Sequence, residues 1–308
     1  MRYTRLALLL FVALIAGQAR ANDEAPPDHL TIGDARINIQ MGDDLAGARA
    51  NLLTWISNSA DTVAAFYGRF PNKTVALRVV ARPGEGVQGG VTTNHSGAAI
   101  SVRVGTAVTL EQLMSDWVLV HEMIHLATPD FDRRYEWLSE GLSTYVEGIA
   151  RAQAGRLTPE AVWADFIHSM PQGMPKEGEG GLDQTHTWGR TYWGGALFCL
   201  LADVSIREHS KNRYSLRDSL VAILNATNGY APPDGTREFT VQEAFRIGDE
   251  ATHSSELMNL YAAMKDTPMR PDLAALWKRL GVRAEGDSVV FDDTAPLASV
   301  RKAMTSRG

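Results

Sequence analysis

Cysteine is nearly absent: Cys199 is the only one in 308 residues. No internal disulfide is therefore possible, and a packed core must hold the fold. Cys199 itself sits in an apolar helical stretch and reads as an inert small hydrophobe. Positive charge is also short, with 30 Lys and Arg against 36 Asp and Glu, and no basic run. That balance argues against nucleic acid or an anionic membrane surface as a partner. No apolar stretch reaches the length of a membrane span; the longest, residues 6–16, lies at the start of the chain. With Arg2 and Arg5 before it and Ala19-Arg20-Ala21 after it, residues 1–21 read as a signal peptide. The expectation is a bacterial periplasmic or secreted protein with no stable membrane insertion. No early cysteine offers a lipid anchor, no internal repeat or linker is evident, and nothing in the sequence fixes the oligomeric state.

What the chain does have is His121-Glu122-Met123-Ile124-His125, inside a run over 110–127 that reads as one helix. Thr109 with Gln112 forms a candidate capping box at its start, and Pro129 follows its end. Met114, Val118, His121 and His125 share a face that reads as core-directed. Side chains four apart on a helix lie about 5–6 Å from each other at Cβ, so two imidazoles can converge on one ion. Glu122 is turned about 100° away and can take a proton from a water held there.

A second helix is expected over 136–154, stopped by Gly155. Trp137, Leu138, Leu142, Tyr145, Val146 and Ile149 form its apolar face, with Glu140 at the buried edge. A carboxylate there needs a partner or a metal. The polar connection 128–135 can aim it at the histidine pair, completing a His-His-Glu set for one zinc with an open position.

The two motifs together, HEMIH and W-L-S-E-G-L-S-T-Y-V-E over 137–147, resemble the gluzincin zinc metallopeptidases. The likeness is to the aminopeptidase N-like and glycyl aminopeptidase-like groups. It implies that His121, His125 and Glu140 ligate one Zn²⁺ and that Glu122 is the general base. Fourteen residues lie between His125 and Glu140, four fewer than in the aminopeptidase N-like enzymes, which marks a shorter, divergent relative. Tyr192-Trp-Gly-Gly-Ala resembles their Tyr-x-Lys-Gly-Ala segment, with Gly194 at the lysine position. The resemblance implies that Tyr192 donates to the oxyanion; His186 and Arg190, just before it, are alternative donors.

The remaining elements fit an α+β protein with a thermolysin-like, two-lobed architecture. Residues 22–308 form one catalytic domain, with lobes over about 30–127 and 128–308. Residues 22–29 read as disordered. Strands are expected over 35–40, 74–81 and 98–104, and a helix over 45–67. Helices follow over 158–169, 190–209, 214–226, 240–249, 254–265 and 271–280, with a strand end and a last helix from 291. Residues 82–97 read as a Gly-rich lid or hairpin tip, not a phosphate-binding loop, since a strand follows it. His95 in that loop reads as solvated. Strand 98–104 is expected to line the cleft and pair with an extended peptide. It carries no acid to grip a free amino terminus, which leaves exopeptidase and endopeptidase both open.

The function expected is hydrolysis of peptide bonds in a peptide or protein substrate. Two alternatives stand beside it: a catalytically silent peptide-binding or regulatory protein of the same fold, and a zinc amidase acting on cell-wall peptides.

Overall fold

The computed structural model describes residues 28–94, 97–230 and 238–306. The segment 1–21 and His95 therefore lie outside the described residues.

The chain opens with β1 (Asp28–Ile32), β2 (Ala35–Met41), a 3-10 turn (Asp43–Ala48) and α1 (Arg49–Tyr67). β3 (Thr74–Arg82), β4 (Val87–Thr93) and β5 (Ala99–Gly105) complete a sheet of order β1-β2-β3-β5-β4. β2, β3 and β5 run parallel, while the outer strands β1 and β4 are antiparallel to their neighbours. The alternation of Ile37 and Ile39, Val75, Leu77 and Val79, and Ile100, Val102 and Val104 puts one face of each inner strand into the core.

Three expectations about this half need correction. Residues 28 and 29 are not disordered but pair with Ile39 and Asn38 in β1. The stretch 82–97 is not simply a loop: β4 lies within it and is the sheet edge. Strand 98–104 falls in β5, whose two sides are occupied by β3 and β4, so it cannot accept a peptide. The free edge belongs to β4 instead. Two glycines, Gly89 and Gly90, hid it from a reading based on β propensity.

The helix expected over 110–127 is two, α2 (Leu110–Ser115) and α3 (Val118–His125). The Thr109–Gln112 capping box forms as expected. Asp116 then turns extended, φ −63° and ψ 143°, and its carboxylate accepts from the Leu119 backbone N–H. Capping a new helix start outweighs continuing the old one. Consequently Met114 does not join the histidines on a buried face but is exposed.

The rest is helical: α4 (Glu136–Gln153), α5 (Pro159–Ser169), α6 (Gly195–Ser210), α7 (Leu216–Thr227), α8 (Val241–Thr252), α9 (Glu256–Met264) and α10 (Leu273–Leu280). A hairpin of β6 (Val282–Glu285) and β7 (Ser288–Phe291) precedes the last helix, α11 (Ala298–Thr305). The stretch expected as one helix over 190–209 begins with a π-turn, Arg190–Gly194. α4 and α6 cross where Gly141 meets Gly195: a Cβ built on Gly141 would lie 2.2 Å from the Gly195 Cα. That close approach of backbones carries the π-turn up against the first half of α4.

No described helix is long and apolar enough to cross a membrane.

Candidate metal centre and cleft

His121 and His125 project from successive turns of α3, and Glu140 from the second turn of α4. One ligand atom from each of the three lies within 4.8 Å of the others. Glu140 Oε2 is 3.0 Å from His121 Nε2 and 3.4 Å from His125 Nε2. The Nδ1 of His125 meets the hydroxyls of Ser139 at 2.9 Å and Ser143 at 3.2 Å. With Nδ1 held on that side, Nε2 is directed at Glu140, the arrangement a metal-ligating imidazole requires. His121 and His125 are buried and Glu140 is partly so. Two neutral-capable imidazoles and one carboxylate, with no cysteine among them, suit Zn²⁺ in an open site.

Burial pulls the His121 pKa down. Burial acts the same way on His125, but Glu140 and Glu122 outweigh it and raise the value. Burial alone would lift Glu140, yet the two imidazoles hold it well below the usual carboxylate range. Glu140 is thus held as the carboxylate, the form a metal would need.

Glu122, between the histidines, faces β4. Thr92 Oγ1 is 2.7 Å from its Oε2 and 2.9 Å from its backbone carbonyl oxygen. The hydroxyl has one proton, and the shorter contact assigns it to the carboxylate. Gly90 leaves the space the Glu122 side chain occupies: a Cβ there would stand 2.6 Å from Glu122 Cγ. An edge strand that lacks side-chain bulk at one residue and offers a hydroxyl two residues on therefore cradles this carboxylate.

These groups open into a cleft of about 1060 Å³. Val87 to Thr92 of β4 and residues of α3 form one wall; Glu136, Glu140, Tyr192 and Tyr230 belong to the other. The Tyr192 ring stacks near His121 at 6.3 Å, and Trp188 stacks on Tyr192 at 5.6 Å. Trp117 meets the edge of His121 at 5.4 Å. Trp117 and Trp188 are 49% and 60% exposed, an apolar cost that is common beside binding clefts. Burial, followed by Glu140 and Glu136, pushes the Tyr192 phenol up to about 12, so it stays a neutral donor.

Of the residues singled out in the sequence, His121, Glu122, His125, Glu140 and Tyr192 all line this cleft. His186 is exposed and Arg190 is buried, and neither lines it. Sequence reasoning missed Thr92, Gly90, Ser139 and Ser143. The serine pair had a visible signal, since it brackets Glu140 at i, i+4 spacing on the helix that faces the histidines. Thr92 had none, because its role depends on which strand forms the edge.

No family model matches the sequence, and no curated protein matches it. Solved structures do. The crystal structure of an aminopeptidase N family protein from Idiomarina loihiensis aligns with 83% of this chain at a TM-score of 0.54 and 12% identity. An M1 zinc metallopeptidase from Deinococcus radiodurans aligns with 79% of it at a TM-score of 0.49 and 13% identity. The chain spans about half of each, 49% and 52% respectively. With the Idiomarina loihiensis protein, what is shared is the fold.

Proposed function

We propose that this chain is a zinc-dependent peptidase that hydrolyses peptide bonds, with His121, His125 and Glu140 as the zinc ligands. The observation that carries the reading is the convergence of those three ligand atoms within 4.8 Å at the wall of a large cleft, with the Glu122 carboxylate beside them. Residues 22–308 are read as one catalytic domain whose lobes, about 30–127 and 128–308, flank that cleft. Export through a signal peptide at 1–21 belongs to the same reading.

Zinc would supply Lewis-acid polarisation of the scissile carbonyl and acidify the attacking water. Glu122 takes the proton of that water and hands it to the leaving amine. Thr92 keeps the Glu122 carboxylate turned toward the cleft while the proton moves. The Tyr192 phenol donates a hydrogen bond to the oxyanion as charge develops on it. An extended substrate pairs with β4, whose outer side carries no further strand.

Metal analysis of purified protein tests the ligand set. The parent should carry one zinc per chain, His125→Ala should lose it, and Glu122→Gln should keep it. Glu122→Gln should also lose about 10²–10⁴-fold in kcat on blocked peptides. Stoichiometric zinc in His125→Ala at unchanged affinity would remove this ligand assignment.

A further inference from the structure

Behind Trp188 lies a second cavity, of about 650 Å³, that the metal centre does not use. Its deepest side chain is Arg190, 1% exposed. Arg190 Nη1 donates to the Gly173 carbonyl oxygen at 2.6 Å. Its Nε and Nη2, the two donors of the guanidinium's side edge, are buried with no partner. Among the described residues no carboxylate forms a hydrogen bond or ion pair with this guanidinium. Glu177 and Glu179 also line the cavity; Glu179 acts on Arg190 only through space, its carboxylate accepting from the Thr187 hydroxyl and from the Lys176 backbone N–H. Arg270 and Lys176 line the same cavity, and among the described residues neither side chain forms an ion pair within it.

A guanidinium is always charged, and burying it without an anion costs several kcal/mol. The fold accepts that cost within two residues of Tyr192, in a π-turn, a feature often found at functional sites. The Nε–Nη2 edge is the fork that receives a carboxylate side-on with two parallel hydrogen bonds. Trp188 is the partition: one face of its ring stacks on Tyr192 in the cleft, and the residue also lines the cavity.

We infer that this cavity is a carboxylate subsite of the substrate, with Arg190 as the deep partner and Arg270 and Lys176 at its rim. The inference rests on the peptidase reading above. The cavity lies beyond Trp188, whose ring stacks on Tyr192 as Tyr192 stacks near His121, so the bound carboxylate stands more than one residue from the scissile bond. It is either an acidic side chain or the terminal carboxylate of a short peptide.

The test uses the full chain and a set of blocked peptides. One pair differs by Glu against Gln, with the position scanned outward from the second residue beside the cleaved bond. A second pair differs by a free acid against an amide at the carboxyl end. Dissociation constants are read on the Glu122→Gln protein by titration calorimetry, and hydrolysis is read on the zinc-loaded parent. One carboxylate member should bind about ten- to hundredfold more tightly than its neutral twin, and the favoured pair identifies the source. Arg190→Met should abolish that preference and Arg270→Ala should weaken it. Arg270 is exposed, so its variant remains decisive if Arg190→Met does not fold. Equal binding within both pairs, or a preference that survives these substitutions, overturns the inference. Hydrolysis of all these peptides at equal rates sinks the subsite and leaves the peptidase reading standing. A carboxylate preference in binding with no hydrolysis by the zinc-loaded parent does the reverse.

Discussion

Tyr192 and Thr92 each contribute one hydroxyl to the cleft, and the two differ in what their removal should change. Tyr192→Phe keeps the ring that stacks against His121 and Trp188, so stability and zinc content should hold. If the phenol acts on the oxyanion, kcat falls by about 10²–10³-fold while KM moves little. Unchanged kcat would assign the oxyanion to another donor. Thr92 touches the Glu122 carboxylate, so under the proposed mechanism it is a positioning residue. Thr92→Val preserves shape and removes the donor to Glu122 Oε2; the expected loss is about tenfold or more in kcat, the scale of one charge-assisted hydrogen bond. Thr92→Ser restores the hydroxyl and should recover most of that loss, which a merely structural role for the methyl group would not allow. At this scale the sequence was informative wherever chemistry and spacing coincide: His121, Glu122 and His125 stand in one motif, and Glu140 is an acid out of place on an apolar face. Thr92 could not be found that way, since a threonine in a Gly-rich stretch has no distinctive pattern until the strand beside it is known.

α4 is the element that links Glu140 to the segment carrying Tyr192, because it bears Glu140 and crosses α6 at Gly141. Two glycines of this helix should respond oppositely to the same substitution. Gly141→Ala drives a methyl into the Gly195 backbone at 2.2 Å, so α4 and α6 must separate. The expected cost is about 3 kcal/mol or more, and Tyr192 should be displaced from Glu140 in variants that still fold. Gly148→Ala meets only the Val162 methyls, at 3.7 and 3.8 Å, and should stabilise by about 0.5–1 kcal/mol through helix propensity. Denaturant unfolding of the two variants checks the pair; equal effects would mean that the helices do not meet at Gly141. α4 itself was legible in the sequence, from its apolar face to the Gly155 stop. The break between α2 and α3 was not, because the local signals at 110–127 all favour helix and only Asp116, once folded, caps the second segment. β4 was hidden for a related reason: glycine lowers strand propensity, and here the lack of side chains serves the neighbour Glu122.

Across the whole molecule, the helical half is tied to the α2–α3 break by charge. Arg151 donates to Glu147 at 3.2 Å and to the Ser115 carbonyl oxygen at 3.0 Å. Burial, opposed in part by Arg151 and aided by Asp165 and Asp116, pushes the Glu147 pKa up to about 7 from its ordinary 4.5. The folded state therefore binds this proton more tightly than the unfolded state. Stability from this group is greatest below pH 4.5 and is lost as pH rises to and through 7, by roughly 3–3.5 kcal/mol in all. Glu147→Gln should flatten that decline, so the parent minus variant stability difference between pH 5 and pH 8 measures it. A parent whose stability rises over that interval, with the variant unchanged in slope, would exclude a buried, protonated Glu147.

The sequence by itself determined the His-Glu-x-x-His motif and the acid Glu140 opposite it, most helices and the inner strands. Each depends on residues near one another in the chain, where periodicity and side-chain chemistry act locally. Tertiary structure alone decided that β4 is an edge of the sheet, that Thr92 and Gly90 hold the Glu122 carboxylate, and that Arg190 turns away from the cleft with its side edge without a hydrogen-bond partner. Those outcomes follow from strand order and helix crossing, which are set by long-range packing among surfaces that no local pattern encodes.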